Sequence, residues 1–224
     1  MEIIRFKFTR GKELRLISHL DQQRMFQRAF RRAKIHMCYS NGFNPHPKLS
    51  FSQAMPLGLI SYAEYGDVCI ENKIDLLDFT KQINEALPKG IHIIEAEYIN
   101  PSALSLSASL CSVDYALSIP IGNITNVQIL KVQIQDFLAQ DEILIKKKSK
   151  KNKIKNLNIR PFILSIEVEA EACSDTILFK LHLNYIDQQC IKPLIILNCF
   201  FNYISLDFLC NESITVYRTD LKLL

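Results

Sequence analysis

Residues 4–10 read Ile4-Arg5-Phe6-Lys7-Phe8-Thr9-Arg10. Residues 18–34 read Ser18-His19-Leu20-Asp21-Gln22-Gln23-Arg24-Met25-Phe26-Gln27-Arg28-Ala29-Phe30-Arg31-Arg32-Ala33-Lys34. In the first stretch Ile4, Phe6 and Phe8 alternate with Arg5, Lys7 and Thr9, the period-two signature of a half-buried strand. The second stretch changes to a helical period. Ser18 suits an N-cap, and Asp21 three residues on suits both a capping-box partner and the positive end of the helix dipole. Phe26, Phe30 and Ala33 share one face. Arg24, Arg28 and Arg32, with Arg31 beside them, share roughly the opposite face. Between strand and helix, Arg10-Gly11-Lys12 reads as a turn, and 14–17 either extends the strand or leads into the helix.

Beyond this pair, 39–48 contains Gly42, Pro45 and Pro47, and reads as an ordered loop because each residue before a proline is driven from the helical region. Strands are expected over 49–55 and 63–70 around a Pro56-Leu57-Gly58 corner, then a helix over 76–87 stopped by Pro88-Lys89-Gly90, then a strand over 91–99. The resulting β-α-β-β-α-β order is that of a ferredoxin-like split unit. The small, polar stretch 101–112 reads as a connection. After it come a strand (113–119), a helix (126–140), a strand (143–147), a Lys-rich turn, strands (159–169 and 177–183), a helix (194–209) and a last strand (215–220). The fold class expected is α+β, built of ferredoxin-like split β-α-β units in two related halves with antiparallel sheets, over 1–100 and 113–224, or one continuous domain. No sequence repeat accompanies the second unit.

The 224 residues are 48% hydrophobic and 22% charged, which is globular rather than disordered. The formal net charge of +4 conceals segregation. Residues 1–50 carry 11 basic and 3 acidic side chains, 51–142 carry 4 and 12, 143–160 carry 8 and none, and 161–224 carry 4 and 8. Two basic blocks separated by an acidic stretch fit neither a uniformly basic chromatin-like protein nor an acidic tail. The start, MEIIRFKFTR, lacks the apolar core of a secretory signal. The most apolar run, 193–209, is broken by Asn198, Asn202 and Asp207, so no membrane association is expected. Seven scattered cysteines without a close pair point to packing thiols in a reducing cytoplasm. No metal or other cofactor is expected.

Three stretches are candidates for function. Arg24, Arg28, Arg31 and Arg32 lie one turn apart with no acid between Gln22 and Lys34. Guanidinium groups bind phosphate bidentately, so such a row can follow a nucleic-acid backbone, although basic rows are more often solvated faces. The run through Lys146, Lys147, Lys148, Lys150, Lys151, Lys153 and Lys155 is expected as a mobile hairpin loop that neutralises phosphates or simply aids solubility. In the loop 42–48, two prolines fix a backbone that presents Asn44, His46 and Lys48. Tyr39 and Phe43 beside it either stack on bases or join the core. His19, Asp21 and His46, with Glu64 or Arg160, are the catalytic candidates. His36, His92 and His182 are expected to be structural and without partners.

Arg10-Gly11-Lys12, Ser18-His19-Leu20-Asp21, the 29–33 segment, Gly42-Phe43-Asn44-Pro45-His46-Pro47-Lys48-Leu49-Ser50-Phe51, Pro56-Leu57-Gly58, Ile159-Arg160-Pro161 and Tyr217-Arg218-Thr219 together resemble a bacterial radical-SAM-linked family of unknown function. The resemblance spans essentially the whole chain, in a stand-alone form without the radical SAM portion. Asn158 stands where the resemblance leads one to expect an Asp. It implies work beside a separate radical SAM protein and, by association, with RNA. The reading is therefore a cytoplasmic accessory protein that binds tRNA, rRNA or a ribonucleoprotein. Arg24, Arg28, Arg31, Arg32, Asn44, His46, Lys48, Lys147, Lys148, Lys150, Lys151 and Arg160 would make the contacts. Two alternatives stay open: a hydrolytic, nucleolytic or RNA-modifying enzyme built on His19, Asp21 and His46, and a protein–protein adaptor for the radical SAM partner.

Overall fold

The computed structural model describes residues 1–120, 126–148, 154–170, 176–206 and 214–224. Its strands are β1 (Glu2–Arg10), β2 (Leu49–Phe51), β3 (Ile60–Ile70), β4 (Ile91–Ile99), β5 (Leu110–Pro120), β6 (Leu144–Lys148), β7 (Ile154–Asn158), β8 (Ile163–Ala170), β9 (Thr176–Asn184) and β10 (Thr215–Leu223). Its helices are α1 (His19–Arg32), α2 (Leu76–Ala86), α3 (Leu106–Ser109), α4 (Val127–Leu138) and α5 (Pro193–Tyr203). The chain is a mixed α and β protein of two compact units, Met1–Leu110 with Arg218–Leu224, and Cys111–Tyr217.

In the first unit, β1 is the centre. It pairs antiparallel with β3 on one side and β4 on the other, and β2 adds to β3. Ile4, Phe6 and Phe8 are fully buried, as the alternation predicts. They meet α1 and α2 in an aromatic core: the Phe6 ring lies 5.5 Å from Phe26 and 6.4 Å from Phe79, and Phe8 lies 5.0 Å from Phe26. Burying each such ring contributes about 1.5–3 kcal/mol, which outweighs the few tenths that helix propensity supplies. Gly66 opposes Phe6 across the β1–β3 ladder. A Cβ there would sit at or within 3.0 Å of three Phe6 ring carbons. Gly66 is also held by Phe51 of β2, so the backbone cannot retreat. Gly66→Ala is expected to cost about 1–3 kcal/mol by overpacking, read as a lower urea midpoint at unchanged slope.

In the second unit the order is β5-β9-β8, all antiparallel, with β6 and β7 as a separate hairpin. Phe179 of β9 packs 6.2 Å from Phe200 and 5.6 Å from Phe201 of α5, and Phe137 of α4 lies 5.5 Å from Phe200.

Several expectations change. The connection 101–112 contains α3, and β5 begins at Leu110. The turn at 10–12 is a β1 end followed by a 3-10 turn over Lys12–Leu14. The Lys-rich run is not simply a loop: Lys146, Lys147 and Lys155 stand in the paired strands β6 and β7. Lys150, Lys151 and Lys153 lie outside the described residues. The strand expected from residue 159 begins at Ile163, because Arg160–Phe162 forms a 3-10 turn. The helix expected over 194–209 ends at Tyr203, and 207–209 lie outside the described residues. His182 has a partner, Asp114, facing it across β9 and β5. His92 has Asn84 beside it at 3.4 Å.

Cys38 is buried, and its N–H donates to the Cys69 carbonyl at 2.8 Å. Burial, together with a side-chain hydrogen bond with Cys38, pushes the Cys69 thiol up to about 11. The reactive thiolate is then about 1 part in 10⁴ at pH 7. Iodoacetamide at pH 7 is expected to leave Cys69 unmodified until the chain is denatured, as measured by peptide mass spectrometry.

Candidate nucleic-acid interface

The Ser18 Oγ accepts the Asp21 N–H at 3.1 Å, which starts α1 where the capping pattern places it. Gln22, Phe26, Ala29 and Phe30 face the core, leaving Arg24, Arg28, Arg31 and Arg32 all exposed. They are not equivalent. Arg24 lies 3.7 Å from Asp21. The Arg32 guanidinium donates to the Ala86 carbonyl at 2.6 Å, at the C-terminal end of α2 where a cation suits the dipole. Two of the four arginines in the row are therefore engaged. Among the described residues, the Arg28 and Arg31 side chains have neither ion pair nor hydrogen bond.

The loop after α1 is ordered by its own backbone. Tyr39 bridges Pro47, the Ser40 N–H donates to the His46 carbonyl at 2.8 Å, and the His46 N–H donates to Ser40 Oγ at 3.0 Å. Gly42 at φ +131° makes the turn. The loop holds Asn44, His46 and Lys48 in solvent, with Phe43 fully exposed and Tyr39 41% exposed. Neither aromatic joins the core. Arg31 and Tyr39 line one cavity of about 200 Å³, so helix and loop form one surface.

The catalytic candidates are differently engaged. The Asp21 carboxylate accepts the Ser18 hydroxyl at 2.6 Å and faces Arg24, so it acts as a capping group. His19 is the first residue of α1. Its ring stands edge-on to Phe51 at 6.0 Å, and its Nδ1 is buried without a hydrogen bond. His46 is exposed in the loop. Among the described residues, no group of three or more His, Cys, Asp or Glu could hold a metal.

In the second unit, Lys147 is exposed on β6, and Lys148 ends that strand. Arg160 Nε donates to the Leu138 carbonyl at the end of α4, and Nη1 donates to the Ile163 carbonyl, both at 2.8 Å. Asn158 Oδ1 accepts the Ile143 and Arg160 N–H groups at 3.0 Å each. A neutral amide oxygen therefore performs the backbone-holding task at this position.

Arg10 and Arg218 were not recognised as candidates from sequence, and Glu64, one of the catalytic candidates, is buried in contact with Arg218. Arg10 is fully buried, with Nη1 donating to Gln22 Oε1 at 3.2 Å and Nη2 donating to the Pro56 and Leu59 carbonyls at 3.1 and 3.2 Å. Glu64 and Arg218, each 1% exposed, form an ion pair, and Arg218 also donates to Gln53 Oε1 at 3.3 Å. Burial lowers the Arg10 pKa, Glu64 opposes that and Arg218 adds to it. The signal was parity. Arg10 continues the Ile4, Phe6, Phe8 register, and Glu64 continues Ile70, Val68, Gly66, so both fall on buried faces.

A larger groove, about 610 Å³, is lined by Arg5, Lys7, Tyr65, Glu95, Glu97, Asp220 and Lys222 among others. Its cations and carboxylates balance, and Lys7 lies 3.3 Å from Asp220. Such a groove offers no excess charge to a polyanion.

Residues 4–193 match the DUF2344 family, described as an uncharacterized protein conserved in bacteria. The chain belongs to this family. The DUF2344 match takes in α1, the 39–48 loop and the Lys-rich hairpin, while Arg218 lies beyond it. No curated protein matches the DUF2344 chain. Among solved structures, one similar to it is a Cbf5-Nop10-Gar1 complex, at 11% identity and a TM-score of 0.41, over 99% of this chain and 47% of that one. Another is a putative dyp-type peroxidase from Shewanella oneidensis, at 9% identity and a TM-score of 0.23, over 92% and 85%. The chain thus spans about half the length of the first of these. Likeness at this level carries no functional argument.

Proposed function

We propose that this chain is an accessory RNA-binding protein that serves a separate radical SAM enzyme in the bacterial cytoplasm. Both units are read as ferredoxin-like. In the first, the antiparallel order β4-β1-β3-β2, with α1 after β1 and α2 after β3, supports that reading. The observation that carries the function is the pair Arg28 and Arg31. Both are exposed on α1 with no carboxylate partner among the described residues, and Arg31 shares a cavity with Tyr39 of the hydrogen-bonded loop that holds Phe43 in solvent. Free guanidinium groups take phosphate, and an exposed aromatic ring takes an unstacked base. Arg24, Arg32, Asn44, His46 and Lys48 extend this contact. Lys147, Lys148, Lys150 and Lys151 give the second unit its own backbone contact, to which Arg160, whose guanidinium already holds two carbonyls, adds less. Ultraviolet crosslinking of the purified chain from its native cell, followed by sequencing, is expected to enrich one class of structured RNA at residues 28–48. Uniform background reads would contradict the proposal.

A second reading, the protein adaptor, is favoured by Leu16, Leu20 and Leu57, which are 69%, 52% and 65% exposed. Gly58 donates its N–H to the Arg15 carbonyl at 2.7 Å, which places Leu57 near Leu16. Co-purification of the radical SAM protein that survives nuclease and is lost in Leu16→Asp would support this reading over RNA.

A further inference from the structure

Helix α1 ends in an unusual way. The Lys34 N–H donates to the Arg31 carbonyl at 3.1 Å and the Ile35 N–H donates to the Phe30 carbonyl at 3.0 Å. This is the Schellman pattern, whose left-handed residue is usually glycine. Here that residue is Lys34, at φ +57°. A lysine accepts backbone strain that glycine would avoid. Strain of this kind points to a use for the side chain.

The cavity of about 200 Å³ lies at this turn, lined by Arg31, Lys34, His36, Tyr39 and Glu71 over Ile35 and Met37. Ile35 and Met37 are 8% and 3% exposed, so the floor is apolar. The walls are fixed: Glu71 donates its N–H to the His36 carbonyl at 3.0 Å, and Met37 bridges Ile70. Among the described residues, Arg31, Lys34 and Glu71 form no ion pair with one another. Two cations and one carboxylate thus share a small hollow without neutralising each other. Its volume equals that of about seven waters, enough for one nucleobase edge rather than an extended ligand.

We infer that this cavity is a single-nucleotide subsite for an unpaired RNA base bearing an amino donor, guanine above all. The inference rests on the RNA reading and names what that surface recognises. Tyr39 supplies the stacking face, Arg31 and Lys34 hold the phosphate, and the Glu71 carboxylate accepts from the base edge. Guanine presents two parallel donors, N1–H and the 2-amino group, to one carboxylate. Uracil presents carbonyl oxygens on either side of N3–H, and these repel it.

The test is an amide-resolved NMR titration of the full chain with GMP and with UMP, beside structured-RNA binding by anisotropy. GMP is expected to shift the amides of Arg31, Lys34, Tyr39 and Glu71 saturably, with UMP at least about tenfold weaker. Glu71→Gln is expected to erase that preference. Lys34→Gly separates function from folding: it is expected to raise the melting temperature while weakening GMP. A Lys34→Gly chain that binds GMP as well as wild type overturns the inference, as does equal binding of GMP and UMP. Absent GMP shifts with intact, salt-sensitive RNA binding overturn the subsite and leave the RNA reading standing. GMP shifts without RNA binding overturn its assignment to an RNA nucleotide.

Discussion

Glu64→Gln is expected to lower the stability of the first unit by about 3–5 kcal/mol. Glutamine keeps the shape of glutamate but removes the negative charge that the Arg218 guanidinium, 1% exposed, faces at Glu64. Breaking a buried ion pair from one side costs several kcal/mol, against a total stability of about 5–15 kcal/mol for a domain. Urea unfolding followed by circular dichroism is the measurement, with a fallen midpoint at unchanged slope. The double variant Glu64→Leu/Arg218→Leu is expected to recover most of the loss, because it removes both charges together. Arg10→Met is expected to cost less than Glu64→Gln. Arg10 rests on Gln22 and two carbonyls rather than on a carboxylate, so its removal abandons no buried charge. If Glu64→Gln unfolds at the wild-type midpoint, the buried pair is not what stabilises the first unit.

The second large effect concerns RNA. Arg28→Gln with Arg31→Gln is expected to weaken binding to structured RNA of any sequence roughly uniformly, by on the order of tenfold or more per arginine at low salt. Arg32→Gln is expected to behave differently. Its guanidinium holds the Ala86 carbonyl, so part of its effect is lost stability at the end of α2. Arg24→Gln releases Asp21 from its pairing and is expected to lie between. Anisotropy binding curves and urea midpoints measured on the four single arginine-to-glutamine variants and on the double variant separate these roles. A pattern in which all four arginines lose equal affinity at equal stability would contradict the division into free and engaged side chains.

Much of this was legible from residues alone where one physical signal acted. The alternation of Ile4, Phe6 and Phe8 located β1, and the Ser18 cap with the Phe26 and Phe30 spacing located α1 and its exposed face. Legibility failed where two signals competed. Arg10 stands beside Gly11, and turn chemistry hid the parity that buries it. The Lys-rich run has a charge pattern of a loop, yet β6 and β7 pair through it, setting Lys147 opposite Lys155. The contacts that engage Arg24 and Arg32 were hidden for different reasons. Asp21 lies one turn from Arg24 but had been assigned to the cap, and Ala86 is 54 residues from Arg32. The Arg31–Tyr39 cavity depends on how the chain turns at Lys34, and a left-handed lysine has no signature in composition or period.

The most direct test of the central claim is the slope of log affinity against log salt for a structured RNA, measured on wild type and on the Arg28→Gln/Arg31→Gln variant. Each lost phosphate contact reduces the slope by about 0.7–0.9. The account predicts a steep wild-type slope that becomes shallower by about 1.4–1.8 in the double variant. A flat wild-type slope, or an unchanged slope in the variant, contradicts it.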